Sequence, residues 1–327
     1  MRSFLILWML LISGCSGQRD LEQSSSKPVP KPEGEGFHAE SRSKKIDTGY
    51  ARHLKVILLE QGFRHEARWL NQNLKRDEGL DYQAFFVDAD PGWPQPTSIY
   101  DDAAKRRVKS LRAPFWQDGT RITEKEAFLA LSYDVIIVGD IDPESTEWRD
   151  EYWQWLELWT RSGGGLIFSA GMRYNPGACK SESSQKVLPM TRVETGAEVD
   201  TTKIKYWGLT DEGLQHGILQ LSNEKGRVRE LLGSEVDGKF ERGQLDGLYW
   251  YAANLKPIDG ATVLARAVVE GGQVSEGAPI LVAMDYGKGR VVFVGTEDTN
   301  RWRAIVGERY FYRFWQNAMA WAAKAEK

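Results

Sequence analysis

The stretch from Tyr133 to Gly171 constrains the fold more than any other. Tyr133–Val138 (YDVIIV) is a short, unbroken apolar run rich in β-branched residues, the pattern of a strand buried on both faces. Gly139-Asp140-Ile141-Asp142-Pro143 follows, and Asp142 reads as a helix N-cap with Pro143 at the first helical position, where its missing N–H costs nothing. Trp148, Tyr152, Trp155 and Trp159, spaced four, three and four apart, then mark one apolar helix face. Gly163-Gly164-Gly165 ends that helix, and Leu166-Ile167-Phe168 predicts a second buried strand running into Ser169-Ala170-Gly171. Strand, crossover helix and strand form a right-handed parallel unit. Ligands of open parallel sheets bind beyond the carboxyl ends of the strands. Asp140, Asp142, Ser169 and Arg173 are therefore expected along one edge.

The flanking chain extends this sheet. Leu54–Glu60 predicts a buried strand and is followed by a helix to about Leu74, with Ala67, Leu70 and Leu74 on its apolar face. Tyr82–Val87 predicts the next strand, ending at Asp88-Ala89-Asp90-Pro91. Residues 91–121 read as a long connection in which Trp93 and Trp116 favour a packed lid. Thr123 to Glu126 has the form of a capping box opening a short helix. Farther on, Leu209–Ser222 reads as a helical turn and then a short strand, and Val228–Leu232 as a helix. Gly247–Tyr251 and Ala261–Val268 read as strands, and residues 279–295 as a hairpin turning at Tyr286-Gly287-Lys288-Gly289. A final helix runs from about Glu308 to Ala323. The fold class expected is an α/β three-layer sandwich with a mostly parallel central sheet and a C-terminal hairpin plus helix.

The N-terminus carries a different kind of signal. Arg2, the apolar run Phe4–Ile12 and the sequence Ile12-Ser13-Gly14-Cys15 resemble the leader and lipobox of bacterial lipoproteins. That resemblance implies cleavage after residue 14, a diacylglycerol on Cys15 and an acylated amino group (palmitate included). Several acyl chains hold a membrane far better than one, because each buried methylene adds about 0.8 kcal/mol. Ser16, where the family uses Asp for inner-membrane retention, points to the outer membrane facing the periplasm. Residues 15–50, rich in Ser, Pro, Lys, Glu and Gly, read as a disordered tether, with His38 solvated within it. The folded domain then spans 51–327. Beyond Cys15, the mature chain holds one cysteine, Cys179, so no internal disulfide can form. The near-neutral balance, a net charge of −3, argues against a nucleic-acid footprint.

Several stretches together resemble the glutamine amidotransferase-like domains of bacterial envelope proteins, within the class I glutamine amidotransferase-like superfamily. They are residues 56–70, FFVDADPGWPQ (85–95), YDVIIVGDIDP (133–143), GGGLIFSAGMRYNP (163–176), LTDEGLQHGIL (209–219), GLYWY (247–251) and residues 279–316. The resemblance implies a flavodoxin-like sandwich. It also implies where catalytic groups would stand: a nucleophilic Cys on the turn after one strand, and a His with a Glu after a late strand. Here the turn reads Phe168-Ser169-Ala170-Gly171-Met172, with no Cys, and the late strand is followed by Gly295-Thr296-Glu297-Asp298, with no His. Glutaminase chemistry by that triad is not expected.

Other candidate groups gather at strand ends. Glu60, Asp88, Asp90, Asp140, Asp142, Glu297 and Asp298 form an acidic edge able to hold Mg²⁺ or Ca²⁺, to pair with Arg64, Arg173, Arg301 and Arg303, or simply to cap helices. The expected ligand-binding set is Glu60, Arg64, Asp140, Asp142, Ser169, Arg173, Asn175, Glu297, Asp298, Arg301, Trp302 and Arg303, in which arginine forks meet a carboxylate or phosphate and Trp302 gives an apolar wall. Catalytic candidates are Cys179 with His216, and Asp140; the bland alternative is an inert buried thiol and a locally packed His. No Cys/His metal spacing and no dinucleotide fingerprint occur, so neither a metal nor a cofactor is expected. The leading expectation is a lipid-anchored pseudoenzyme that binds a small ligand or an envelope protein at the carboxyl edge. The alternatives are a hydrolase or transferase using Cys179 or the acidic edge, and a structural component of an envelope assembly.

Overall fold

The computed structural model describes residues 49–90, 93, 95–101, 106–107, 116–117, 120–121, 124–145, 150–193, 203–224 and 226–327. The leader, Cys15, nearly all of the expected tether with His38, and Thr123 and Trp148 lie outside them.

Eight strands form one sheet. They are β1 (Leu54–Glu60), β2 (Leu80–Phe86), β3 (Val135–Val138), β4 (Gly165–Ser169), β5 (Tyr206–Leu209), β6 (Thr262–Val268), β7 (Ala278–Tyr286) and β8 (Gly289–Val294). Their order is β5-β6-β7-β8-β4-β3-β1-β2. Neighbours from β2 to β8 pair in parallel, whereas β5, β6, β7 and β8 pair antiparallel in succession. The hairpin β7–β8 thus joins a parallel half to an antiparallel half. Its turn carries Gly287 at φ +60°, a conformation glycine adopts without strain.

Helices cover both faces, as parallel strands require. Alternation along β1 splits its side chains: Val56 and Leu58 enter one core, Ile57 and Leu59 the other. The first face carries α1 (His65–Leu74), which buries Ala67, Leu70 and Leu74 at helical spacing. It also carries α3 (Arg309–Ala322), with Phe311, Phe314, Trp315 and Ala318 inward. The second face carries α2 (Asp150–Ser162), which buries Tyr152 and Trp159 and half-buries Trp155. Gly163, at φ +136°, ends α2.

In four places the structure differs from what the local sequence signals suggest. Asp142 does not cap a helix: residues 143–145 form a turn, which its carboxylate closes by accepting from Glu144 N–H (3.0 Å). The short helix expected before β3 is present as Lys125–Leu129, but its N-cap is Glu124, one residue after the Thr123 of the capping box. The strand expected after the turn at Asp211–Gln215 precedes it instead, as β5, and the chain after it forms a 3₁₀ turn, Gly217–Leu219. Finally, 247–251 is not a strand: only a single bridge joins Leu248 to Lys205, and the run forms a loop.

Candidate functional site

The strand order reverses between β1 and β3, since β2 lies beyond β1 on one side and β4 beyond β3 on the other. The crevice at such a point is the usual ligand seat of an open parallel sheet. Here the chain fills it with its own side chains. Glu60, at the end of β1, is 1% exposed and lies over Gly139, where any Cβ would stand 1.8 Å from Glu60 Oε1. Arg64 donates to Glu60 through Nη2 (2.7 Å) and Nε (3.0 Å), to Ser169 Oγ (2.8 Å), to the Ala170 carbonyl (2.9 Å) and to Glu297 (3.4 Å). One guanidinium therefore ties the ends of β1, β4 and β8. Burial works against its charge, but the Glu60 carboxylate and its hydrogen bonds outweigh this and hold the Arg64 pKa above its ordinary value. Ser169 is fully buried and bound to Arg64, so it offers no nucleophile.

Two further strand-end carboxylates act as backbone anchors. Asp140, after β3, accepts from the N–H groups of Arg173 (3.0 Å), Tyr174 (2.8 Å) and Asn175 (2.8 Å). Gly171 must be glycine for this approach, because a Cβ there would come within 2.3 Å of Asp140 Cγ. Asn175 completes the knot, donating to the Gly139 carbonyl (3.0 Å). Asp298, after β8, accepts from Tyr249 N–H and Trp250 N–H, both at 2.7 Å. Burial raises the Asp298 carboxyl above its ordinary value, against the pull of these amides and of Arg301. Arg301 reaches Asp246 (3.0 Å) and lies 3.7 Å from the centre of the Tyr249 ring. Acids after β3 and β8 thus hold two loops, 171–177 and 248–255.

Between those loops lies a cavity of about 330 Å³, also lined by Arg192, Lys203, Ile204 and Lys205. Its aromatic wall is Tyr174, Tyr249, Trp250 and Tyr251. A second hollow of about 460 Å³ lies over the carboxyl edge beside Phe63, Arg68 and Asn300, and is lined by four of the expected residues, Arg64, Glu297, Asp298 and Arg301.

The structure divides the expected ligand set. Glu60, Arg64, Ser169, Asp140 and Asn175 form one internal network, and Asp298 and Arg301 support the loop at 249. Of the set, Arg173 alone lines the cavity with an exposed side chain. Trp302 gives no wall to a ligand: it is 0% exposed and packs edge-on against Trp207 and Phe314 in the core. Arg303 lies over Trp69 at 3.2 Å and pairs with Glu308 (3.3 Å). Asp142 stands in its own turn.

Cys179 and His216 do not meet. Cys179 is buried in the core on the α2 face, and burial first, then Asp140, pushes its pKa up to about 12. His216 rests on Trp321, which packs on the opposite face, and its ring accepts from Ile218 N–H (3.3 Å). Among the described residues, no three His, Cys, Asp or Glu side chains gather to hold a metal ion. The aromatic wall is not legible in the sequence, because its loop is fixed by Asp298, far away along the chain. Its only signal was the run Tyr249-Trp250-Tyr251, which resembles a strand.

No family model and no curated protein matches the sequence. Among solved structures, two cytoplasmic proteins of Salmonella typhimurium, one from strain LT2, are similar at 14% and 15% identity. Each covers 84% of this chain and 100% of its own, with TM-scores of 0.47 and 0.48. A β-galactosidase of Rahnella sp. R3 covers 84% of this chain and 32% of its own, at 13% identity and a TM-score of 0.39.

Proposed function

We propose that this chain is a lipid-anchored envelope protein whose flavodoxin-like, amidotransferase-like domain binds a ligand beside the carboxyl edge of its sheet and does not turn it over. One observation carries the reading. The crevice where such a domain would place its nucleophile is occupied by the Arg64 guanidinium, bonded to Glu60, Ser169 and Glu297, while an open cavity lies next to it between loops anchored on Asp140 and Asp298. A guanidinium with its donors committed to the protein has none to give a reacting group, and the buried Cys179 thiol is in its unreactive form at neutral pH.

The test uses the full-length protein in detergent. Ammonia release from glutamine is expected to equal that of buffer. The low-molecular-mass fraction of an envelope digest is expected to raise the melting temperature saturably, and Arg173→Ala to abolish the rise. Ammonia release above buffer, or a melting temperature indifferent to every fraction, would overturn the reading. Anchoring through Cys15 has its own test, since labelled palmitate should enter wild type and not Cys15→Ala.

A second reading, a component of an envelope assembly, is favoured by one feature. Phe63 (59% exposed) stacks on Phe86 at 4.3 Å and meets Trp93 (38% exposed) edge-on at 5.2 Å, an aromatic patch at the same end of the sheet.

A further inference from the structure

The described lining of the cavity between the two anchored loops carries charge of one sign. Among the described residues that line it, Arg173, Arg192, Lys203 and Lys205 are basic and none is a carboxylate. This local excess stands against a chain whose formal net charge is −3. Elsewhere arginines near the edge meet acids, as in Arg64–Glu60 and Arg301–Asp246. Among the described residues, no ion pair joins Arg173, Arg192 or Lys203 to a carboxylate; Arg192 donates to the Gly177 carbonyl at 3.0 Å. Like charges gathered around a concave, partly apolar space repel one another and focus a field on whatever enters it. An anion relieves that repulsion.

The lining is also aromatic, and the part of it at 249–250 is held in place. Tyr249 is 56% exposed, yet its backbone is tied to Asp298 and its ring is covered on one face by Arg301. A preformed aromatic surface accepts the face of a ring without first having to be ordered. The volume of about 330 Å³ lies at the small end of ligand sites, which run from roughly 300 to 1,000 Å³. It suits one or two rings, not a polymer.

Resting on the binding reading above, we infer that this cavity takes a small molecule carrying a carboxylate or phosphate on a ring. The anion meets Arg173 and Lys203, and the ring lies against Tyr249 and Trp250. Arginine supplies a planar fork for two anion oxygens and lysine a point charge.

Calorimetric titration of the full-length protein with two matched pairs tests this: glucuronate against glucose, and adenosine monophosphate against adenosine. Members of each pair differ chiefly in the anion, and the pairs separate a sugar acid from a nucleotide phosphate. The expected result is that in at least one pair the anionic member binds at least about tenfold more tightly. That preference should vanish in the double variant Arg173→Ala, Lys203→Ala, with an unchanged circular dichroism spectrum, and should shrink as salt rises. Equal affinities within both pairs overturn the inference, as does a preference that survives the double variant. If the neutral members bind as well as the anions and Trp250→Ala abolishes binding, the ligand site stands and its charge selectivity falls. If no member of either pair binds, the ring-anion inference falls, and the binding reading is decided separately by the envelope-digest titration.

Discussion

Replacing Asp140 by Asn probes the scaffold at its most heavily used atom pair. In the wild type, Oδ1 accepts from Tyr174 N–H and Asn175 N–H, and Oδ2 accepts from Arg173 N–H, at a site 5% exposed. Asparagine keeps one oxygen, so its amide N–H₂ would face the Arg173 N–H, donor against donor. Losing one hydrogen bond to a charged acceptor costs about 1.5–3 kcal/mol. The two that remain lose their charge assistance, roughly half their strength, for about 1 kcal/mol more in total. Part of this is offset. Burial and, in smaller measure, the Asp140 charge raise the Glu297 carboxyl, so removing that charge relieves a minor part of the repulsion. The net expectation is a destabilisation of about 2–4 kcal/mol, which in a domain of this size lowers the melting temperature by roughly 5–15 °C. Guanidinium titration followed by Trp fluorescence measures it. Asp142→Asn is the matched control, because that half-buried carboxylate accepts, among the described residues, one bond, from Glu144 N–H in its own turn, and it should cost less than about 1 kcal/mol. Equal stability of the Asp140→Asn variant and wild type would refute the claim that this carboxylate carries the 173–175 loop.

Three other outcomes follow from the same geometry. Alkylation of Cys179 should be negligible at pH 8 in the folded protein and rapid after denaturation, because burial keeps the thiol protonated up to about 12; fast reaction of the native protein would return it to the list of catalytic candidates. His216 has its pKa lowered by burial and by the Arg290 charge, so below its ordinary value of 6.5 the unfolded chain takes up a proton before the folded one. Its contribution to stability is therefore complete above that pH and is lost as pH falls through the window beneath it. His216→Gln should flatten this part of the stability profile, and an unchanged slope would contradict the assignment. Gly139→Ala should disrupt the Glu60–Arg64 pair, and breaking a buried pair costs about 3–5 kcal/mol, readable as a shift in the same guanidinium titration.

The strands were legible because burial on both faces writes itself as an apolar run. Leu54–Glu60 and Val135–Val138 lie where the runs end, and the Ala67, Leu70, Leu74 spacing marks the helix between β1 and β2. Capping signals were less faithful. An Asp-Pro pair satisfies a turn as readily as a helix start, and at Asp142 the turn won. Gathering acids at the carboxyl edge followed from strand direction alone, but their tasks did not. Which amides Asp140 and Asp298 accept from depends on loops 33 to 49 residues away in sequence. Trp302 had the composition of a ligand wall, and only the packing of α3 against β5 turned it inward.

The central claim is that acids at the ends of β3 and β8 hold the two walls of the cavity in place. Amide hydrogen exchange of Arg173, Tyr174, Asn175, Tyr249 and Trp250 tests it most directly, since none of these residues belongs to a strand or helix. Protection approaching that of β3 and β4 is expected, with 173–175 released selectively by Asp140→Asn and 249–250 by Asp298→Asn. Exchange of all five at the rate of unstructured chain, unchanged in both variants, would contradict it.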